Sequence, residues 1–167
     1  MGKRVLLKKA KVVNATEKFE ADILIEDGKI AALGRELEAE VDRVINVNGR
    51  FLIPGGVDGH THMMDPGLTE REDFTTGTRA ALTGGITTVI DHHRTVPAVY
   101  SSKELEEKIE YLKEKSVADF ALKGGGAPDN VDKLKAMWER GVTGFKLCYQ
   151  DFCRIPSKRW RLSMGRF

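Results

Sequence analysis

From residue 51 onward the chain alternates strand-like and helix-like stretches, a pattern that few architectures accept. Residues 51–57 read as a strand. A helix follows from about residue 73 to 83, closed by Gly84-Gly85 and entered through a cap in Thr69-Glu70-Arg71-Glu72. Ile86-Thr87-Thr88-Val89-Ile90 is β-branched throughout, as a strand buried on both faces should be. The cycle repeats with a helix at 102–115, a strand at 117–122, a helix at 130–140 and a strand at 142–147. In the first of these helices Ser102 is the expected N-cap, and Leu105, Ile109 and Leu112 form the inward stripe. Four parallel strands with right-handed crossovers are expected. A closed eight-stranded barrel needs about 250 residues, so 167 residues accommodate about half of one. The fold class is α/β: a truncated (β/α)8-type barrel of about four strands, or a small open sheet.

Residues 1–50 have a different texture. Short strands at 5–7, 11–13, 21–25, 29–33 and 44–47 surround the turns Glu26-Asp27-Gly28 and Asn48-Gly49. Together they predict a small antiparallel sheet, too poor in apolar mass to stand alone. The expected division is a β-sandwich portion at 1–52, the first half of a barrel at 53–150, and a tail at 151–167. In that tail Arg154, Lys158, Arg159, Arg161 and Arg166 face Asp151 alone, without helical or strand periodicity. Premature termination or a shifted reading frame is the expectation, and a natural short terminus the alternative.

Composition narrows the function classes. A net charge of +2, 41% apolar and 31% charged residues are ordinary for a globular protein. Without a recognition motif, the basic tail is a poor nucleic-acid element. No apolar run reaches a membrane span, no signal core follows Met1, and Leu6 occupies the place an acylation motif gives to Ser or Thr. Cys148 and Cys153 make no disulfide scaffold, and Cys148 reads as a small hydrophobe. A cytoplasmic protein is expected, with neither nucleic-acid nor membrane partners.

The chemistry sits at strand ends. Gly59-His60-Thr61-His62 closes the 51–57 segment, and the strand period of two points both imidazoles the same way, able to grip one metal ion. Two polar residues at a strand end would give the same pattern. Lys146, between Phe145 and Leu147, is costly to desolvate while charged, and burial would leave a neutral amine able to add carbon dioxide as a carbamate. A lysine reaching into solvent is the plainer reading. Asp58 shares the His60 side of its strand, and Asp91 closes the second strand before His92-His93. Asp58, Asp91 and His92 are candidate supports for ligands or for a substrate loop, with a direct metal role for His92 or His93 as the lesser alternative. Gly124-Gly125-Gly126 lacks a phosphate-binding ending and reads as a flexible loop.

Four stretches carry a family resemblance: 53–62 (Ile-Pro-Gly-Gly-Val-Asp-Gly-His-Thr-His), 72–81 (Glu-Asp-Phe-Thr-Thr-Gly-Thr-Arg-Ala-Ala), 84–91 (Gly-Gly-Ile-Thr-Thr-Val-Ile-Asp) and Gly144-Phe145-Lys146. In order and spacing they resemble the cyclic-amide branch of the amidohydrolase superfamily, with its allantoinases, dihydroorotases and dihydropyrimidinases/hydantoinases. The resemblance implies a split β-sandwich beside a distorted TIM barrel, and a cyclic ureide or amide as substrate. It implies two divalent ions, zinc being the expected metal, with His60 and His62 on the more buried one. It further implies a carboxylated Lys146 bridging both ions, and a homo-oligomer (dimer or tetramer) in the full-length form. The family's two later histidines and its late proton-shuttling aspartate have no counterpart in these residues, so no catalytic residue is assigned within the chain. Met64 stands where dihydroorotases place a carboxylate-binding arginine, which weighs against that branch. Asp65-Pro66-Gly67-Leu68-Thr69-Glu70 and Ala118-Asp119-Phe120 lean towards allantoinase, whereas Asp91-His92-His93-Arg94 departs from the usual Asp-Met-Pro. An allantoinase-like hydrolase leads, a hydantoinase- or dihydroorotase-like one follows, and a non-catalytic half-barrel is the competing class.

Overall fold

The computed structural model describes residues 3–147, so the tail, Cys148 and Cys153 lie outside the described residues. The chain divides into two compact units, Met1–Pro54 and Gly55–Phe167.

The first unit is a five-stranded sheet of β1 (Arg4–Val13), β2 (Lys18–Glu26), β3 (Lys29–Gly34), β4 (Arg43–Asn46) and β5 (Phe51–Leu52), in the order β3-β2-β1-β4 with β5 also on β1. Asp27 and Gly28 both take positive φ, 51° and 75°, which matches the twist of a tight hairpin between β2 and β3. The two segments expected at 5–7 and 11–13 form one strand with an irregularity between Leu7 and Ala10. Lys9 adopts φ 57° there. The buried Asp22 carboxylate accepts its N–H at 2.7 Å and that of Leu37 at 3.1 Å.

An all-antiparallel sheet was the expectation, and only the β1–β2 and β2–β3 pairs meet it. β4 and β5 run parallel to β1, with Leu6 opposite Val44 and Lys11 opposite Phe51. The cause is topological: the link from β3 to β4 crosses the sheet, so β4 enters in the direction of β3, which is also that of β1.

The second unit begins with β6 (Gly56–Thr61), α1 (Phe74–Thr83), β7 (Ile86–Asp91) and α2 (Ser102–Lys113). It continues through β8 (Asp119–Leu122), β9 (Gly124–Gly126), α3 (Val131–Glu139) and β10 (Phe145–Leu147). β6-β7-β8 pair in parallel, as do β9 and β10. Lys123, the single residue between β8 and β9, binds Asp91 O through its N–H at 2.9 Å, and Thr143 N–H, just before β10, reaches Leu122 O of β8 at 3.0 Å, which ties the two sheets together. The result is an unclosed β/α half-barrel.

Local chemistry explains its elements and corrects several expected boundaries. The strand expected at 51–57 splits, because Pro54 offers no N–H to continue a ladder; β5 ends at Leu52 and β6 starts at Gly56. Asp73, rather than the 69–72 stretch, caps α1 by accepting from Thr75 and Thr76 N–H at 2.8 and 3.0 Å. Gly85, at φ 84°, takes the left-handed position past the end of that helix. Ser101, not Ser102, is the N-cap of α2, and its hydroxyl binds Glu104 at 2.8 Å.

Leu105 and Leu112 are buried as expected and Ile109 packs against the same core, which also holds Phe74, Val89, Leu122 and Met137. Each large apolar side chain so enclosed stabilises the fold by about 1.5–3 kcal/mol.

The triple glycine is a strand, not a flexible loop. A Cβ on Gly125 would stand 2.5 Å from Tyr100 and 2.7 Å from His93, so the bare backbone is what lets β9 close on the turn after β7.

Candidate metal centre

Strand β6 places His60 within its last residues, and His62 follows one step beyond its end. The period of two delivers what it promised: the two Nε2 atoms are 3.2 Å apart. Asp58 Oδ1 accepts the His60 backbone N–H at 3.0 Å, so its carboxylate steadies this strand end.

A third imidazole joins them. His92, immediately after β7, stacks on His60 at a ring-centroid distance of 4.0 Å and tilts against His62 at 4.6 Å. One ring nitrogen from each of His60, His62 and His92 falls within 4.8 Å of the others. His92 is 2% exposed, and neither of its ring nitrogens has a hydrogen-bond partner. Buried polar atoms are rarely left bare. Orphaned nitrogens beside two more imidazoles fit a divalent ion.

Electrostatics favours the same chemistry. Burial, then the neighbouring His60 and His62, pushes His92 down to about 3. Burial, followed by the charges of Arg94 and Lys108, takes His93 to about 4. His62 also lies below the usual imidazole range; desolvation of the ring outweighs the upward pull of Asp91, and His60, Arg94 and Lys146 add to the lowering. Neutral imidazoles keep a lone pair free for a metal at ordinary pH.

Asp91 is fully buried and faces away from ligand duty. Its Oδ1 accepts Met63 N–H at 2.9 Å and the Thr61 hydroxyl at 3.4 Å, while Oδ2 accepts Lys108 Nζ at 2.7 Å. Lys108 also donates to His92 O at 2.9 Å. This buried ion pair thus fixes the segments on both sides of the histidine cluster. Lys108 was missed in the sequence, although a lysine three residues after Leu105 and four before Leu112 stands on the inward stripe of α2. Met64 is buried at φ 61°, a left-handed conformation unusual for its residue type, and leads into Asp65.

Lys146 departs from expectation. It lies on β10 opposite Gly125, but its side chain is exposed rather than desolvated. Among the described residues β10 pairs with β9 alone.

A β/α half-barrel carrying His-x-His at the end of its first strand defines a class, the metal-dependent hydrolases of the barrel type. The comparisons narrow it. Residues 51–147 match the amidohydrolase family. The chain belongs to that family, and within it to the branch of cyclic-amide hydrolases. It is 41% identical over 126 residues to a dihydroorotase from Methanosarcina mazei, covering 75% of this chain and 27% of the relative. It is 40% identical over 150 residues to an allantoinase from Salmonella choleraesuis, covering 89% and 33%. An L-hydantoinase (dihydropyrimidinase) from Arthrobacter aurescens superposes with a TM-score of 0.83 at 36% identity, over 87% of this chain and 32% of that one. The chain therefore spans about a third of the length of the relatives it matches.

Proposed function

We propose that this chain is the amino-terminal, metal-holding part of a hydrolase that opens a cyclic ureide ring, with allantoinase-like specificity. The 3.2 Å approach of the His60 and His62 Nε2 atoms carries the reading, because it brings two imidazole donors to one point at the carboxyl end of a barrel strand. His60 and His62 would hold one divalent ion, and a carboxylated Lys146 would be shared with a second. Zinc suits this imidazole and carboxylate donor set. Such ions, when bound, polarise a carbonyl and lower the pKa of water.

The chain's own residues do the positioning. Asp58 pins the backbone at His60, Asp91 and Lys108 hold the segments bearing His62 and His92, and Gly125 gives His93 room. Burial and the neighbouring rings hold His62 and His92 below the usual imidazole range. Similarity to both a dihydroorotase and an allantoinase leaves the branch open, and the residue at 64 tips it. Methionine cannot pair with a substrate carboxylate, which favours an uncharged ureide over dihydroorotate. The working form would be a cytoplasmic homo-oligomer, and the 167-residue polypeptide by itself would give no turnover.

The test is ring opening by a full-length barrel containing these residues, supplied with zinc and bicarbonate. Allantoin should be the preferred substrate, and His60→Ala and Lys146→Ala should each abolish its hydrolysis. Preference for dihydroorotate, or for hydantoins that lack a ureido substituent, would overturn the specificity. Full activity in both variants would overturn the assignment of the site.

A further inference from the structure

The cyclic-amide hydrolase reading gives His92 no place among the metal ligands. It stands at the end of β7, its backbone N–H bound to Thr61 O at 3.1 Å and its carbonyl bound by Lys108 Nζ at 2.9 Å. Both ends of the residue are therefore tied, one to the strand that carries His60 and the other to the buried pair beneath it. The ring has little freedom except rotation about its own side-chain bonds. It is almost wholly enclosed, both nitrogens lack a partner, and it packs face to face on His60.

We infer that His92 is a third imidazole ligand, giving this chain a divalent transition-metal site built from His60, His62 and His92. The inference rests on the reading of His60 and His62 as ligands. Nitrogens sharing one tetrahedral ion at about 2.1 Å lie about 3.4 Å apart. The His60–His62 pair is already at that separation, and the three candidate nitrogens lie within 4.8 Å. Coordination by His92 requires its ring to turn out of the stack on His60. A three-imidazole set needs no carbamate, so this site fills from His residues of the described chain alone. It selects zinc, cobalt or nickel over magnesium and calcium, which prefer oxygen donors.

The experiment uses the metal-free 167-residue chain titrated with Co2+ against a competing chelator, followed by its visible d–d absorption. Counting bound imidazoles by pulsed electron paramagnetic resonance of the cobalt form, or by X-ray absorption of the zinc form, completes it. The wild type should bind one equivalent with three imidazoles. His92→Ala and the bulkier His92→Met should bind at least tenfold more weakly, with altered d–d bands and an unchanged far-ultraviolet circular dichroism spectrum. If both variants unfold, the imidazole count in the wild type decides: three upholds the inference and two overturns it. Wild-type affinity and spectrum in the His92 variants, with metal lost on His60→Ala/His62→Ala, overturns His92 alone. Equal binding by the wild type and the His60/His62 double variant, or no binding by either, overturns the parent reading and this inference with it.

Discussion

Asp91 and Lys108 bury opposite charges at 1% and 2% side-chain exposure, 2.7 Å apart. Removing one partner strands the other charge in the interior, which costs about 3–5 kcal/mol. Lys108→Met should therefore lower the urea midpoint strongly, and Asp91→Asn in the same background should recover part of the loss; a neutral single variant would contradict the pair's role. Asp65 and Lys115 form a second pair at 2.8 Å. Burial alone would raise the Asp65 carboxyl, but hydrogen bonds from Lys115 and from Phe74 N–H more than offset it and leave it low. Lys115 is raised, chiefly by the hydrogen bond to Asp65. A depressed carboxyl stabilises above its ordinary value and loses that contribution as pH falls through the folded value. A raised lysine stabilises below its ordinary value and loses it as pH rises through the folded one. The pair should thus be at full strength between about 4 and 10, the ordinary values being 3.8 and 10.5. Unfolding midpoints measured across pH should show the acid limb flattened in Asp65→Asn.

At the scale of elements, β9 shows how glycine makes a close approach possible. Gly125→Ala would press a methyl group into Tyr100 and His93. A cost of about 1–3 kcal/mol is expected from overpacking, read as a shift in denaturant midpoint; an unshifted midpoint would mean that these rings yield. Periodicity made the helices legible, since Leu105 and Leu112 mark the stripe of α2 whatever surrounds it. It also made His60 and His62 legible, because alternation along a strand is local geometry. What local pattern could not carry is direction and partnership. The parallel setting of β4 depends on the path of a link, and the closure of β9 depends on Tyr100 and His93, which lie on another segment of the chain well before Gly125. The partner of Lys108 lies 17 positions upstream on another element, so the sequence displayed an anomaly without its explanation. The exposure of Lys146 makes the related point that burial belongs to neighbours: it is set by the strands around β10, not by Phe145 and Leu147 beside it.

For the whole molecule, two compact units and an unclosed β/α half-barrel account for a chain that matches relatives over about a third of their length. The half-barrel already gathers His60, His62 and His92 at one end of its strands. On the proposed reading, metal binding and ring opening would be separable, and His60, His62 and His92 would carry the first. The most direct measurement is the zinc content of the purified 167-residue chain after exhaustive dialysis, beside that of the His60→Ala/His62→Ala variant. At least one equivalent in the former and none in the latter is predicted. Equal zinc in both, or none in either, would contradict the account.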